Sequence, residues 1–99
     1  MKIVAVTACP TGIAHTYMAA EQLEKTARRL GHQIKVETQG AMGIENELGA
    51  RDIREAAGAI LAADIAVQGR ERFDSLKVVE VSVAEAITHP ETVIGRLEK

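Results

Sequence analysis

Residues 2–8, Lys-Ile-Val-Ala-Val-Thr-Ala, make an apolar, largely β-branched run that stops abruptly at Cys9-Pro10-Thr11-Gly12. A short run with no polar alternation reads as a strand covered on both faces, the usual condition of a central strand in a parallel sheet. Proline and glycine then mark a tight loop. From about 13 to 30 the period becomes helical: Ala20, Leu23, Ala27 and Leu30 recur at three- and four-residue spacing, with Glu21, Glu24, Lys25, Arg28 and Arg29 mostly off that stripe. Glu21 with Lys25, and Glu24 with Arg28, stand in the order that supports a helix, and Gly31 is placed to end it. A chain of 99 residues that begins strand, loop, helix is restricted to one α/β core, because it is too short for two domains and a linker.

The remainder keeps alternating element types. Residues 33–38 set Ile34 and Val36 against Lys35 and Glu37, a second strand with one polar face. A loop with two glycines covers 39–43, a short helical turn is expected over 44–48, and Gly49 breaks it. A helix is predicted over 50–57 with Ile53 and Ala57 inward, then a third buried strand over 59–63 ending at Asp64. Residues 65–75 read as loop and 77–81 as a fourth strand. Ser82 and Glu85 form a capping box for a short helix, and Pro90 opens a final helix to about Leu97. This order predicts a doubly wound, four-stranded parallel sheet of order 2-1-3-4, Rossmann-like or flavodoxin-like, with right-handed crossovers and helices on both faces. Its switch point lies at the carboxyl ends of the first and third strands, where ligands are expected. The loop 9–16 and Asp64 reach that crevice, with the 39–46 loop alongside. The chain's only cysteine therefore stands at the expected ligand site.

Several function classes fall away on composition and pattern. Tyr17 and Phe73 are the only aromatic residues and the net charge is −2, which leaves no stacking platform or basic footprint for nucleic acid. One cysteine cannot form an internal disulfide. Val6-Thr7-Ala8-Cys9 mimics a lipoprotein cleavage box, but the eight residues before Cys9 are too few for a charged region plus an apolar segment. No 18-residue apolar run exists, so a cytoplasmic location is the expectation. His32 and His89 show no ligand spacing with Cys9 or His15, and no metal site is expected. Neither a Cys-x-x-Cys pair nor a G-x-G-x-x-G turn occurs, so no dithiol or dinucleotide cofactor is expected.

The cysteine loop itself suggests a chemistry. A helix N-terminus presents unpaired N–H groups and about half a positive charge, a setting that binds phosphate and raises the thiolate fraction of a nearby cysteine. Pro10 has no N–H to contribute, so the cradle must come from Thr11, Gly12, Ile13, Ala14, His15 and Thr16. A thiolate and a phosphate cradle on one loop point to a phosphorylated Cys9. A cysteine phosphatase, or an enzyme like arsenate reductase, would use that intermediate and carry Cys-x5-Arg, whose arginine grips the dianion. Here the sixth residue after Cys9 is His15, and no Asp-Pro pair supplies a general acid. A phosphoryl carrier needs neither. A regulatory domain of the same fold is the remaining alternative.

Cys-Pro-Thr-Gly-Ile-Ala-His-Thr-Tyr-Met-Ala-Ala-Glu over 9–21 resembles the signature of the fructose-type enzyme IIB of the bacterial phosphoenolpyruvate-dependent sugar phosphotransferase system. Val36-Glu37-Thr38-Gln39-Gly40, Gly43, Glu45-Asn46, Ala62-Ala63-Asp64 and Arg72-Phe73 match further blocks in order. The resemblance covers about 2–95 and implies a single IIB domain over 1–99. It also implies that Cys9 takes phosphate from a phosphohistidine on enzyme IIA and passes it to fructose, or a similar sugar, held by membrane-embedded enzyme IIC. A monomer at the inner membrane's cytoplasmic side would follow. The 68–72 loop departs from the family pattern, a residue longer and more basic, which bears on partner contacts. Other residues have plainer expected roles. Asp64 is read as a structural contact to the cysteine-loop backbone, Arg70 and Arg72 as a docking patch or solvated loop, and Met18 and Met42 as packing.

Overall fold

The computed structural model describes every residue except Thr11, Gly12 and the side chain of Ile13. Strand β1 (Lys2–Ala8) is buried from Ile3 onward, because it lies at the centre of the sheet. It pairs in parallel with β2 (Gln33–Gly40) on one side and β4 (Gly58–Ala63) on the other. Outside β2 lies a short antiparallel strand β3 (Gly43–Glu45), and outside β4 the parallel strand β5 (Val78–Val81). The sheet order is β3-β2-β1-β4-β5. The four parallel strands thus stand in the order expected from sequence, and one antiparallel edge strand is added.

Side-chain alternation along the central strands divides the core in two. Ile3, Ala5, Val36, Ile60 and Val79 face Leu23 and Ala27 of α1 (Ile13–Arg29), Val83 and Ala86 of α3 (Val83–Thr88), and Val93, Ile94 and Leu97 of α4 (Pro90–Glu98). Val4, Val6, Ala59 and Leu61 face the other way, onto Leu48, Ile53 of α2 (Ala50–Glu55) and Phe73 at the end of a 3-10 turn (Arg70–Phe73). Helices cover both faces, but unequally. Phe73 is fully buried, and a phenylalanine so placed contributes about 1.5–3 kcal/mol.

The ends of α1 and α3 form for the reasons their sequences suggest. Gly31 takes φ +87°, its N–H donates to the Arg28 carbonyl at 3.0 Å, and the His32 N–H donates to Ala27 at 2.8 Å, a Schellman closure. The Ser82 hydroxyl accepts from the Glu85 N–H at 3.0 Å and starts α3. Three expectations fail. Residues 44–48 are not a helical turn, because β2's outer edge has backbone groups to satisfy and the chain folds back through Ala41-Met42 to pair with it, with Gly43 at φ +89°. The second helix stops at Glu55: the Ala57 N–H instead donates to the Lys2 carbonyl at 2.8 Å as the chain enters β4, leaving Ala57 exposed and Ala56 packed against the second core. Leu30 lies just past the end of α1 and is 40% exposed.

Where β4 begins, the sheet and α4 are in close contact. A Cβ at the buried Gly58 would lie 2.5 Å from Cδ1 of Leu97 and 3.0 Å from its Cγ. Because the γ-carbon is involved as well as the tip, the whole Leu97 side chain must move within a packed core. Gly58→Ala is expected to cost about 1–3 kcal/mol, read as a lowered midpoint in urea with an unchanged slope.

Candidate active site

Cys9 follows β1 directly, where the ladder to β4 closes with the Asp64 N–H donating to Ala8 at 3.0 Å. It is 4% exposed and lines a groove of about 260 Å³ over the carboxyl end of the sheet. Pro10, the β2–β3 hairpin residues Gln39, Gly40, Ala41, Gly43 and Ile44, and Ile65, Ala66 and Gln68 after β4 complete the described lining. The crevice is where the topology reverses around β1, as expected. Helix α1 starts at Ile13 with no acidic side chain in its first turn, so nothing there opposes an anion.

The predicted cradle residues divide. Thr11 and Gly12 lie outside the described residues, as does the side chain of Ile13. Ala14 and His15 are exposed on the first turn of α1. Thr16 is 1% exposed; its carbonyl accepts from the Thr7 hydroxyl at 3.1 Å, which ties α1 to β1, and its side chain lies against Gly40. The Asp64 Oδ1 accepts from the Val83 N–H at 3.2 Å at the start of α3, where the first N–H groups of a helix need an acceptor. The contact expected from Asp64 to the cysteine-loop backbone falls partly on Thr11 and Gly12, outside the described residues.

Sequence reasoning missed a buried carboxylate beside this groove. Alternation along β2 puts Glu37 on a polar strand face, yet it is fully buried. Its Oε1 accepts from the Leu48 N–H at 2.9 Å and from Arg72 Nη1 at 3.0 Å; its Oε2 accepts from Arg72 Nη2 at 2.9 Å and from Gln39 Nε2 at 2.8 Å. Burial pushes its pKa up, but Arg72, the Leu48 amide and Gln39 together bring it below the usual carboxylate value. Arg72 also donates from Nε to Gly69 at 2.8 Å and from Nη2 to Gln68 at 3.1 Å, and lies over the Phe73 ring at 5.0 Å. Arg72 is therefore an internal strut and not a docking residue. Arg70 pairs with Glu80. The partnership of Glu37 and Arg72 leaves no local sequence signal, although both fall in blocks that carry the family resemblance.

Met18 and Met42 are not core packing: they are 48% and 69% exposed. With Tyr17, Ile44 and Ile65 they account for most of the large exposed apolar side chains among the described residues. Met42, Ile44 and Ile65 belong to the segments that form the groove, and Tyr17, whose hydroxyl meets Glu45 of β3, is in the early part of α1. No group of three His, Cys, Asp or Glu gathers to hold a metal among the described residues. His32 bridges the Met1 amino group (3.0 Å) and Glu98 (2.6 Å). No described helix is long and apolar enough to cross a membrane.

Chemically, the groove offers a thiol and amide and apolar walls. Among its described lining residues there is no carboxylate, imidazole or guanidinium. Such a site can accept an electrophile on sulfur, and none of its described lining residues is an acid or base that would activate water against it.

The family described as "PTS system, Lactose/Cellobiose specific IIB subunit" matches residues 4–96. A PTS system fructose-like EIIB component 2 from Escherichia coli is 47% identical over 97 residues, covering 98% of this chain and 92% of that protein. The fructose-specific EIIABC component of Bacillus subtilis is 50% identical over 95 residues, which make up 96% of this chain but 15% of the relative. The crystal structure of a domain from a fructose-specific IIABC component of Borrelia burgdorferi superposes with a TM-score of 0.93 at 47% identity, covering 97% of this chain and 91% of that one.

Proposed function

The chain belongs to the IIB family of the sugar phosphotransferase system and is a phosphoryl-transfer component of it, and from that premise we propose that Cys9 is the residue that carries the phosphoryl group. The observation that carries this reading is the chain's single thiol, set at the strand-to-helix junction in a groove whose described lining lacks any acid or base. The Cys9 thiolate attacks phosphorus in line, the S–P bond forms as the N–P bond of a phosphohistidine on enzyme IIA breaks, and the imidazole leaves on the donor. In the second step a sugar hydroxyl held by enzyme IIC attacks the same phosphorus, and the thiolate is the leaving group. Positioning and charge stabilisation suffice for both steps. N–H groups from about Thr11 to Thr16, with the dipole of α1, supply the stabilisation, and no metal or cofactor takes part.

Fructose or a fructose-like sugar is the substrate we assign. The family description mentions lactose and cellobiose, and one relative 53% identical over 92 residues is described as 2-O-alpha-mannosyl-D-glycerate-specific, but several relatives near half identical over nearly the whole chain are described as fructose-like or fructose-specific. IIB domains occur fused to, or paired with, IIA and IIC parts. We assign the chain as one such domain, a monomer working at the cytoplasmic face of the membrane against IIC. The exposed apolar Met42, Ile44 and Ile65, on the segments that form the groove, are the contact surface such transient partners would use. The phosphatase alternative gains nothing here, since position 15 is histidine.

Phosphoenolpyruvate, enzyme I, the histidine phosphocarrier and a fructose-type IIA, incubated with the chain, are expected to leave one phosphate adduct in an intact mass spectrum. Peptide mapping should place it on Cys9. No adduct with any fructose-type IIA, or steady turnover of an aryl phosphate, would overturn the proposal.

A further inference from the structure

Glu37 is the one fully buried carboxylate among the described residues, and phosphoryl transfer gives it no chemical task. Burying an ion pair costs desolvation that its attraction barely offsets, so what the pair holds in place matters more than its own energy. Its bonds lead towards Cys9. Because a carboxylate only accepts, the Gln39 group facing Glu37 must be its amide nitrogen, which orients the whole carboxamide. The Gln39 Oε1 then accepts from the Gln68 N–H at 2.9 Å, while its Nε2 donates to the Gln68 carbonyl at 3.0 Å. One side chain thus grips both backbone polar groups of a loop residue, as a neighbouring strand would. Arg72 holds the same carbonyl at 3.1 Å from the other end of the network. Gln39 and Gln68 both line the Cys9 groove.

We propose that Gln39 is a positioning residue for phosphoryl transfer: oriented by the Arg72–Glu37 pair, it holds the 65–68 wall at a fixed distance from the β2–β3 hairpin, so that the donor phosphoryl group meets Cys9 in line. The inference rests on the reading of Cys9 as the phosphorylated residue. A loop that follows a strand end is ordinarily loosely held, and a reacting group displaced by about 1 Å loses on the order of 100-fold in rate.

The test is single-turnover transfer from phosphorylated IIA to the full chain, compared among wild type, Gln39→Met and Gln39→Asn. Methionine keeps the length without the hydrogen bonds, and asparagine keeps the carboxamide one methylene short. Both are expected to lower the maximal transfer rate about tenfold or more, with the donor concentration for half-maximal rate within about twofold of wild type. A part played only in folding would instead lower the fraction folded and leave the rate per folded molecule unchanged. Circular dichroism at the assay temperature supplies that fraction. Maximal rates within twofold of wild type, or losses accounted for by the unfolded fraction, overturn the inference. If wild type itself takes no phosphate on Cys9, the parent reading falls instead.

Discussion

Cys9→Ser is expected to cut phosphoryl transfer through the chain by about 10⁴-fold or more, the scale of loss seen when a nucleophile is removed. Sulfur is intrinsically the stronger nucleophile, and no described group lining the groove is placed to remove a serine hydroxyl's proton. The exchange nearly conserves volume at a residue 4% exposed, so unfolding free energy should move by no more than about 2 kcal/mol. The two measurements together separate loss of chemistry from loss of fold. Transfer by the folded serine variant at more than about a hundredth of the wild-type rate would mean that the phosphate travels by another residue.

Arg72→Leu is expected to have the largest effect on stability. It leaves the fully buried Glu37 carboxylate facing only Gln39 and the Leu48 amide, and removing one partner of a buried pair costs about 3–5 kcal/mol. For a domain of this size that is a large share of total stability. Glu37→Leu with Arg72→Leu should recover much of the loss, since no unpaired buried charge then remains. A double-mutant cycle in urea isolates the coupling. Additive single effects would show that the two side chains contribute independently.

The same pair sets a pH dependence. Because the native carboxyl of Glu37 titrates below its ordinary value, its stabilisation is fully present above the unfolded value of about 4 to 5. It is lost as pH falls through the lower native value, where the native state must take up the proton. The double variant lacks this titration and should show a shallower decline of stability in acid. Arg72 stays charged throughout, since its bonds to Glu37 raise its pKa further.

Much of the architecture was legible because it is local. The all-apolar run of β1, the helical stripe of α1, Gly31 at its end and the Ser82 cap each depend on residues a few positions apart, and each formed as read. Four strands and their crossovers then leave few sheet orders, and β2-β1-β4-β5 is the one that places a single cysteine over the crevice. Two of the misreadings share one cause. β3 exists because β2 has an open edge, and α2 ends early because Ala57 is needed by Lys2. Each depends on a neighbour distant in sequence, which periodicity does not report.

Glu37 marks the boundary between the two kinds of information. By alternation it belongs opposite Val36, and it does point to the other face of β2. Whether that face meets water or a core depends on where the 46–49 and 65–73 segments come to rest. The fold brings Arg72 onto Glu37 across 35 positions of sequence, and a side chain read as polar surface becomes the anchor of the groove wall. Local sequence alone determined the strand and the helix that set the thiol at the end of β1, because strand and helix periods are short-range properties of the chain. Only the tertiary structure decided what surrounds that thiol, because desolvation and hydrogen-bond partnership are set by whichever distant segment packs above it.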